Sequence, residues 1–358
     1  MVLAAAVALL GCAHRSPSTT PANASSNKIE LDPIVVTAGQ ERSELEGKTD
    51  GQLFDDGAVY FRAQKYQDAA RHFDRLASAF PSSPQLGPAL YNAGLAHQRL
   101  GHFQEALDRF VELIRREPGG RDGIDAQFQA SLCEYKLTKK LEAAARLHAL
   151  SARPGLLPQR KGEALVQEGV CRFEVGARSD GERLFREALK LFDEPSARES
   201  IDAALPAQAE FWLGEVYRSY FAEVKLDPVS MDQDKLAEQL ESKAQFLLSA
   251  QGHYLRAIRR GDGEWATASG YKIGELYEKF HDELVAAPLP AGLDAGQAAL
   301  YRDELRGKVK VLVGKAIRIY EQTLATAVRV GASNAYVDRA RAALDRVKKL
   351  LLADDPTL

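Results

Sequence analysis

Tryptophan, methionine and cysteine are scarce in this chain: two, two and three in 358 residues. Charge of one sign is scarce as well. The 47 Lys and Arg stand against 50 Asp and Glu, for a formal net charge of -3 and a pI near 6.2. Such a balance offers no basic footprint for nucleic acid. The opening apolar run, Val2 to Gly11, is too short to span a bilayer. Catalytic signatures are missing too. Among seven histidines none forms a metal pair: His97 and His102, five apart, point to different helix faces, and no HExxH occurs. Gly307 to Gly314-Lys315 has too many intervening residues for a phosphate-binding loop, with Ala316 where Ser or Thr is required. No GxSxG is present, and His281-Asp282-Glu283-Leu284 is internal, so it is no retention signal. The expectation is a protein without cofactor or metal, and not an enzyme.

What is present is an ordinary folding composition, 45% hydrophobic and 27% charged. Its richness in Ala, Leu, Glu and Arg predicts helices throughout. The stretch Leu53 to Pro81 carries Leu53, Gly57, Tyr60, Ala69, Phe73, Leu76 and Pro81. Leu53 and Tyr60 share one face of a first helix, while Phe73 and Leu76 form the apolar stripe of a second. Gly57 and Ala69 are small enough for the two helices to cross closely, and Pro81 ends the second. These residues at these spacings resemble a tetratricopeptide (TPR) repeat, a helix–turn–helix of ~34 residues. One unit cannot bury its own apolar surface, so a first copy predicts more.

A second copy has Leu90, Ala93, Gly94, Ala106, Phe110, Leu113 and Pro118, 37 residues on, with His97 where Tyr60 stood. A third has Ala130, Ser131, Ala143, Leu147 and Leu150; a fourth has Leu165, Gly169, Gly181, Phe185 and Ala188. Beyond Pro195 the period stretches. Trp212-Leu213-Gly214-Glu215-Val216-Tyr217 and Lys272-Ile273-Gly274-Glu275-Leu276-Tyr277 repeat the first-helix pattern 60 residues apart. Their partner helices are expected over 233–258 and 298–330, the latter with Ala316 and Tyr320. Ser333 is expected to cap a last helix bearing Tyr336, Ala340, Leu344, Val347 and Leu351 on one face. The resemblance implies an all-α, right-handed TPR-like superhelical solenoid. Its helix pairs should start near Gly51, Pro88, Ile124, Gly162, Ala207 and Thr267. The boundaries read as 50–195 for four repeats, 196–332 for two long-helix repeats and 333–353 for a cap. Cys133 and Cys171 occupy equivalent places on successive first helices. Packed helices 8–10 Å apart set their Cα atoms beyond disulfide reach, so free buried thiols are expected.

Leu9-Leu10-Gly11-Cys12 resembles a bacterial lipobox, in which residues 1–11 are a signal peptide and Cys12 is acylated. One departure is the lack of Lys or Arg between Met1 and the apolar run, which a start codon placed too late would explain. More than one acyl chain is what stable anchoring requires. Ala13, in the absence of Asp, resembles lipoproteins sorted to the outer membrane, with the solenoid in the periplasm. Residues 12–49 then form a lipidated tether rich in Ser, Thr, Pro and Asn. Within it Ile34, Val35, Val36 and Thr37 resemble the short segment that pairs as an added strand with a TonB-like domain. A local strand, or a strip packed on the first helix, is the alternative.

Anchor and array together resemble envelope lipoproteins that serve as assembly platforms, such as those of outer-membrane assembly and gliding-motility complexes. The resemblance implies that the second and fifth residues of the first helix, and those one and two turns further, line a concave groove. At the fifth position that family rule gives Phe54, Tyr91, Phe128, Val166, Phe211 and Tyr271, five of six aromatic. Seven residues later stand Phe61, Tyr135 and Phe173, alternating with Gln98, Arg218 and Glu278. These rings either receive an apolar peptide or helix from another envelope protein, or plug the seams between repeats. Three functions remain: a membrane-tethered scaffold for envelope proteins, a module for glycan or peptidoglycan, and a regulator of a partner enzyme.

Overall fold

The computed structural model describes residues 45–195, 201–226, 233–290 and 292–354. Cys12, the signal segment and Ile34 to Thr37 lie outside the described residues. Contacts divide the chain into Met1–Gly47 and Lys48–Leu358, and the second unit holds every helix discussed below. Among the described residues there are thirteen helices and no strand. In order they are α1 (Asp50–Arg62), α2 (Tyr66–Ala79), α3 (Leu86–Leu100), α4 (Phe103–Arg116), α5 (Arg121–Lys136), α6 (Lys140–Ser151), α7 (Pro158–Glu174) and α8 (Arg178–Asp193). The longer set follows: α9 (Ala204–Glu223), α10 (Gln233–Arg259), α11 (Gly263–Ala286), α12 (Ala295–Val330) and α13 (Ala335–Asp354). They stack pairwise in chain order as an all-α solenoid. First helices start one to four residues before the sequence expectation. The packing pattern begins only once a helix reaches its neighbour, whereas the cap lies a turn earlier. Thr49 shows this at α1, where a capping box joins it to Gln52.

The crossing of every pair but the third is a glycine under a ring. A Cβ at Gly57, Gly94 or Gly169 would stand 2.6–2.8 Å from Phe73, Phe110 or Phe185, sixteen residues further on. The third pair has Ser131 and Leu147 at those places, both buried: a smaller partner leaves room for a side chain. In the long pairs Tyr254 covers Gly214 and Tyr320 covers Gly274, at separations of 40 and 46 residues.

A second constant is the turn between the helices of a short pair. Its left-handed residue is Gln64, Gly101, Thr138 or Gly176, with φ of 59°, 78°, 64° and 90°. One bond closes each turn: the amides of Lys65, His102, Lys139 and Ala177 donate to carbonyls five residues back, at 2.8–2.9 Å. Glycine adopts this backbone freely; Thr138 is β-branched and pays in strain.

The extra length of α9 to α12 lies on the far side of the glycine crossing, where α9 and α11 run past it and α10 and α12 begin before it. Lys243 ties the first of these extensions. Its ammonium is fully buried and donates to the carbonyls of Phe221 and Val224 at 2.8 Å, completing the C-terminus of α9. It also pairs with Glu283 of α11 at 2.6 Å and lies 4.0 Å from the Phe221 ring centre.

At α13 the cap differs from expectation. Asn334, not Ser333, accepts from the Tyr336 and Val337 amides at 3.0 and 3.1 Å, because it sits directly before the first helical residue. Ala340, Leu344 and Val347 are buried as the apolar face requires. Cys133 and Cys171 are free buried thiols. Burial raises them to about 11 and about 12, and the Cys133 sulfur accepts from Gln98 at 3.2 Å.

Candidate partner-binding surface

First helices of successive pairs approach one another at four places. α3 approaches α5, α7 approaches α9, α9 approaches α11 and α11 approaches α13, while no two second helices approach to the same extent. The first helices therefore lie on one side of the stack and the second helices on the other.

The aromatic stripe on these helices divides. Phe128 is 5% exposed, with the Arg160 guanidinium 4.1 Å from its ring centre, and Val166 is fully buried. Phe211 is 4% exposed, enclosed by Trp212, Tyr254, Trp265 and Tyr336 at 5.1–6.5 Å between ring centres. Phe128 and Phe211 are therefore seam packing, a correction to their placement in an open groove. The physical cause is the next repeat, whose first helix lays Arg160 or Trp265 over them.

The remaining six are half-buried. Phe54 and Tyr91 meet the crossing rings Phe73 and Phe110 edge-on at 5.7 Å, and Phe61 meets Tyr66 at 5.4 Å. Phe173 lies edge-on to Trp212 at 5.7 Å. The Tyr135 hydroxyl donates to Glu174 at 2.8 Å, and Tyr271 packs against Tyr320 and Tyr336. Burial pushes Tyr91 and Tyr271 up to about 12, so both keep their protons.

The line that faces solvent is one the aromatic pattern obscures. It runs through Ala58 and Arg62 on α1, Leu95 and Arg99 on α3, and Leu132 and Lys136 on α5. The apolar members are half-buried and the cations exposed. The signal was in the sequence, since Arg62, Arg99 and Lys136 recur every 37 residues. On α7 the line ends: Val170 is buried, and Glu174 pairs with Lys140 at 2.9 Å.

The first-helix side changes character in the long pairs, where an ion-pair network replaces the apolar line. Glu215 is buried and receives Arg218 at 2.5 Å and the Tyr254 hydroxyl at 2.5 Å. Burial opposes its charge, but Arg218 and Lys272 outweigh that and hold its carboxyl below the usual range. Glu275 takes Lys272 at 2.7 Å and the Tyr271 hydroxyl at 3.1 Å. Glu278 takes the Tyr320 hydroxyl and, at 2.7 Å, Arg346 of α13. These carboxylates bond to cations and phenols of the fold itself. Elsewhere, Asp193, Arg256, Arg259 and Arg260 border an open depression of about 490 Å³, with Arg260 already bidentate on Asp193. No cluster of three or more His, Cys, Asp or Glu able to hold a metal occurs among the described residues. No described helix is long and apolar enough to cross a membrane.

The fold and this surface define an all-α solenoid of TPR-like helix pairs. Residues 88–120, within α3 to the turn after α4, match the family model of the tetratricopeptide repeat. No curated protein matches the chain. Among solved structures it is similar to the apo form of RapI, at 11% identity over 84% of this chain and 99% of that one, TM-score 0.49. It is also similar to the C-terminal part of a TPR repeat-containing protein from Cytophaga hutchinsonii, at 12% identity over 85% and 96%, TM-score 0.47. A third is YrrB, described as a TPR protein with an unusual peptide-binding site, at 17% identity over 58% and 92%, TM-score 0.36.

Proposed function

We propose that this protein is a non-enzymatic scaffold that docks other envelope proteins along the first-helix side of its solenoid. Cys12, acylated, holds it to the bacterial outer membrane, and residues 12–49 act as the tether. The observation that carries the docking reading is the solvent-facing line Ala58, Leu95 and Leu132, repeated in phase with the helix pairs. Repetition lets one extended ligand meet successive helices at equivalent points. Protein is favoured over glycan because the solvent-facing line is aliphatic, Ala58, Leu95 and Leu132, while Phe54, Tyr91 and Phe173 are engaged with neighbouring rings. The tether residues Ile34 to Thr37 are an additional place for pairing with a TonB-like domain.

Two measurements test this. Cys12→Ser should move the protein from the membrane fraction to the soluble one with its melting unchanged, and labelled fatty acid should enter only the Cys12 protein. Label retained by the serine variant removes the anchor. For docking, Leu95→Ser with Leu132→Ser should abolish capture of cross-linked envelope proteins at near-parental stability. Capture of glycan in place of protein, or undiminished protein capture, places the working face elsewhere.

A further inference from the structure

The cations beside the apolar line say what kind of partner fits it. Each stands one helical turn beyond an apolar residue: Arg62 beyond Ala58, Arg99 beyond Leu95, Lys136 beyond Leu132. All three are exposed, and none is ion-paired to a carboxylate among the described residues. Arg62 spends one donor on the Ala58 carbonyl at 3.2 Å, which fixes it at the end of α1. The row stops at α7, where the equivalent residue is Glu174, already held by Tyr135 and Lys140. A helix C-terminus favours any cation in its last turn. That accounts for a basic residue on each helix, but not for three on the same solvent-facing line at an unbroken spacing of 37 residues. The last turns of the second helices follow no such rule: α2 has no basic residue there, α4 has Arg115 and Arg116, and α6 has His148.

Resting on the docking reading above, we propose that the partner is an acidic amphipathic helix. It lies across α1, α3 and α5 with its apolar face on Ala58, Leu95 and Leu132 and its carboxylates toward Arg62, Arg99 and Lys136. α3 and α5 approach directly, so Arg99 and Lys136 stand about 10 Å apart at the usual spacing of packed helices, and Arg62 continues the row at the same sequence spacing. Carboxylates seven residues apart on a helix are also separated by about 10 Å. The site therefore reads a segment of about 14 residues with one acidic position per heptad beside an apolar stripe. Charge complementarity steers the encounter and sets direction, while the apolar row supplies contact that survives salt.

The test uses the full chain and three synthetic 18-residue helical peptides in fluorescence anisotropy. Two share one leucine stripe and differ only in carrying Glu or Lys along its edge; the third keeps the Glu and replaces every leucine by Ser. The Glu-edged leucine peptide should bind at least tenfold tighter than either of the others. Arg99→Glu with Lys136→Glu should remove or reverse its preference over the Lys-edged form. Arg115→Glu with Lys190→Glu, the same charge change at exposed ends of second helices, should leave that preference intact. Circular dichroism checks that both variants keep the parental fold. Equal binding of Glu- and Lys-edged peptides, both weakened by Leu95→Ser with Leu132→Ser, keeps the groove and overturns the acidic partner. Equal binding of the leucine-free peptide overturns it as bulk attraction. A preference equally sensitive to the control substitutions overturns the site. Absence of binding by any peptide overturns the helical partner, and envelope capture then decides the docking reading independently.

Discussion

The short pairs α1 to α8 and the long pairs α9 to α12 solve one packing problem with chains of different length. In both, a small residue on the first helix receives a large one from the second, and the apolar core gathers around that crossing. In the short pairs sixteen residues separate the two; in the long pairs 40 and 46. The additional residues extend the helices away from the crossing. The crossing therefore specifies the pair, and helix length beyond it is free to vary provided the extension finds its own support. In the α9–α10 pair that support includes a buried lysine. The first-helix side changes in step: half-exposed apolar residues with cations on α1, α3 and α5, and mutually satisfied ion pairs from α9 onward.

The strongest way to break this comparison is to break a crossing. Phe110→Asp puts an unpaired charge against Gly94 in a fully buried site, and should cost about 4 kcal/mol or more. The loss should be read by denaturant melts. A parental melt would mean that the crossing does not specify the pair. A milder variant sharpens the rule in the opposite direction. Gly274→Ala drives a methyl into the Tyr320 ring and should cost about 2 kcal/mol by overpacking. Gly→Ala ordinarily stabilises an exposed helix position, so the sign of the change separates the close-approach account from simple helix propensity. The smallest effect is expected at the turns. Thr138→Gly should stabilise by about 1 kcal/mol, since φ of 64° is strained for a β-branched residue and free for glycine. A lower melting temperature in that variant would show that the threonine makes up for its backbone elsewhere.

The crossings in the short pairs were legible because both members fall within one 37-residue window, at constant spacing. The equivalent Ala250 and Tyr254 of α10 escaped the same reading. They stand 36 and 40 residues after Gly214, where a fixed period places nothing. Tyr320 was found because Ala316 precedes it by four and marks the second-helix pattern. The working surface was only half legible. Position in the first helix identified a common face, but the fate of each ring depends on what the next repeat lays over it. Phe128 and Phe211 are covered by side chains from 32 and 54 residues away, Arg160 and Trp265. Nothing local to either phenylalanine records that. Lys243 was illegible for a related reason: in its own helix it is one more charged residue, and its partners come from α9 and α11.

Tyr336 bears on how the array comes apart. A stack whose repeats touch only their neighbours can fray from either end, one pair at a time. The Tyr336 ring on α13 lies 6.0 Å from Tyr271 on α11 and 6.5 Å from Phe211 on α9, so the terminal helix reaches past its neighbour to the repeat before it. Peeling α13 away therefore uncovers apolar surface in two repeats at once, and opening at that end is discouraged until all three give way together. No described aromatic contact on α1 or α2 reaches beyond its own pair. At the α13 end α9, α11 and α13 are therefore joined through one aromatic cluster, whereas the first pair is held to the next by the packing of α2 on α3 and by Asp74, which binds His97 and Arg109.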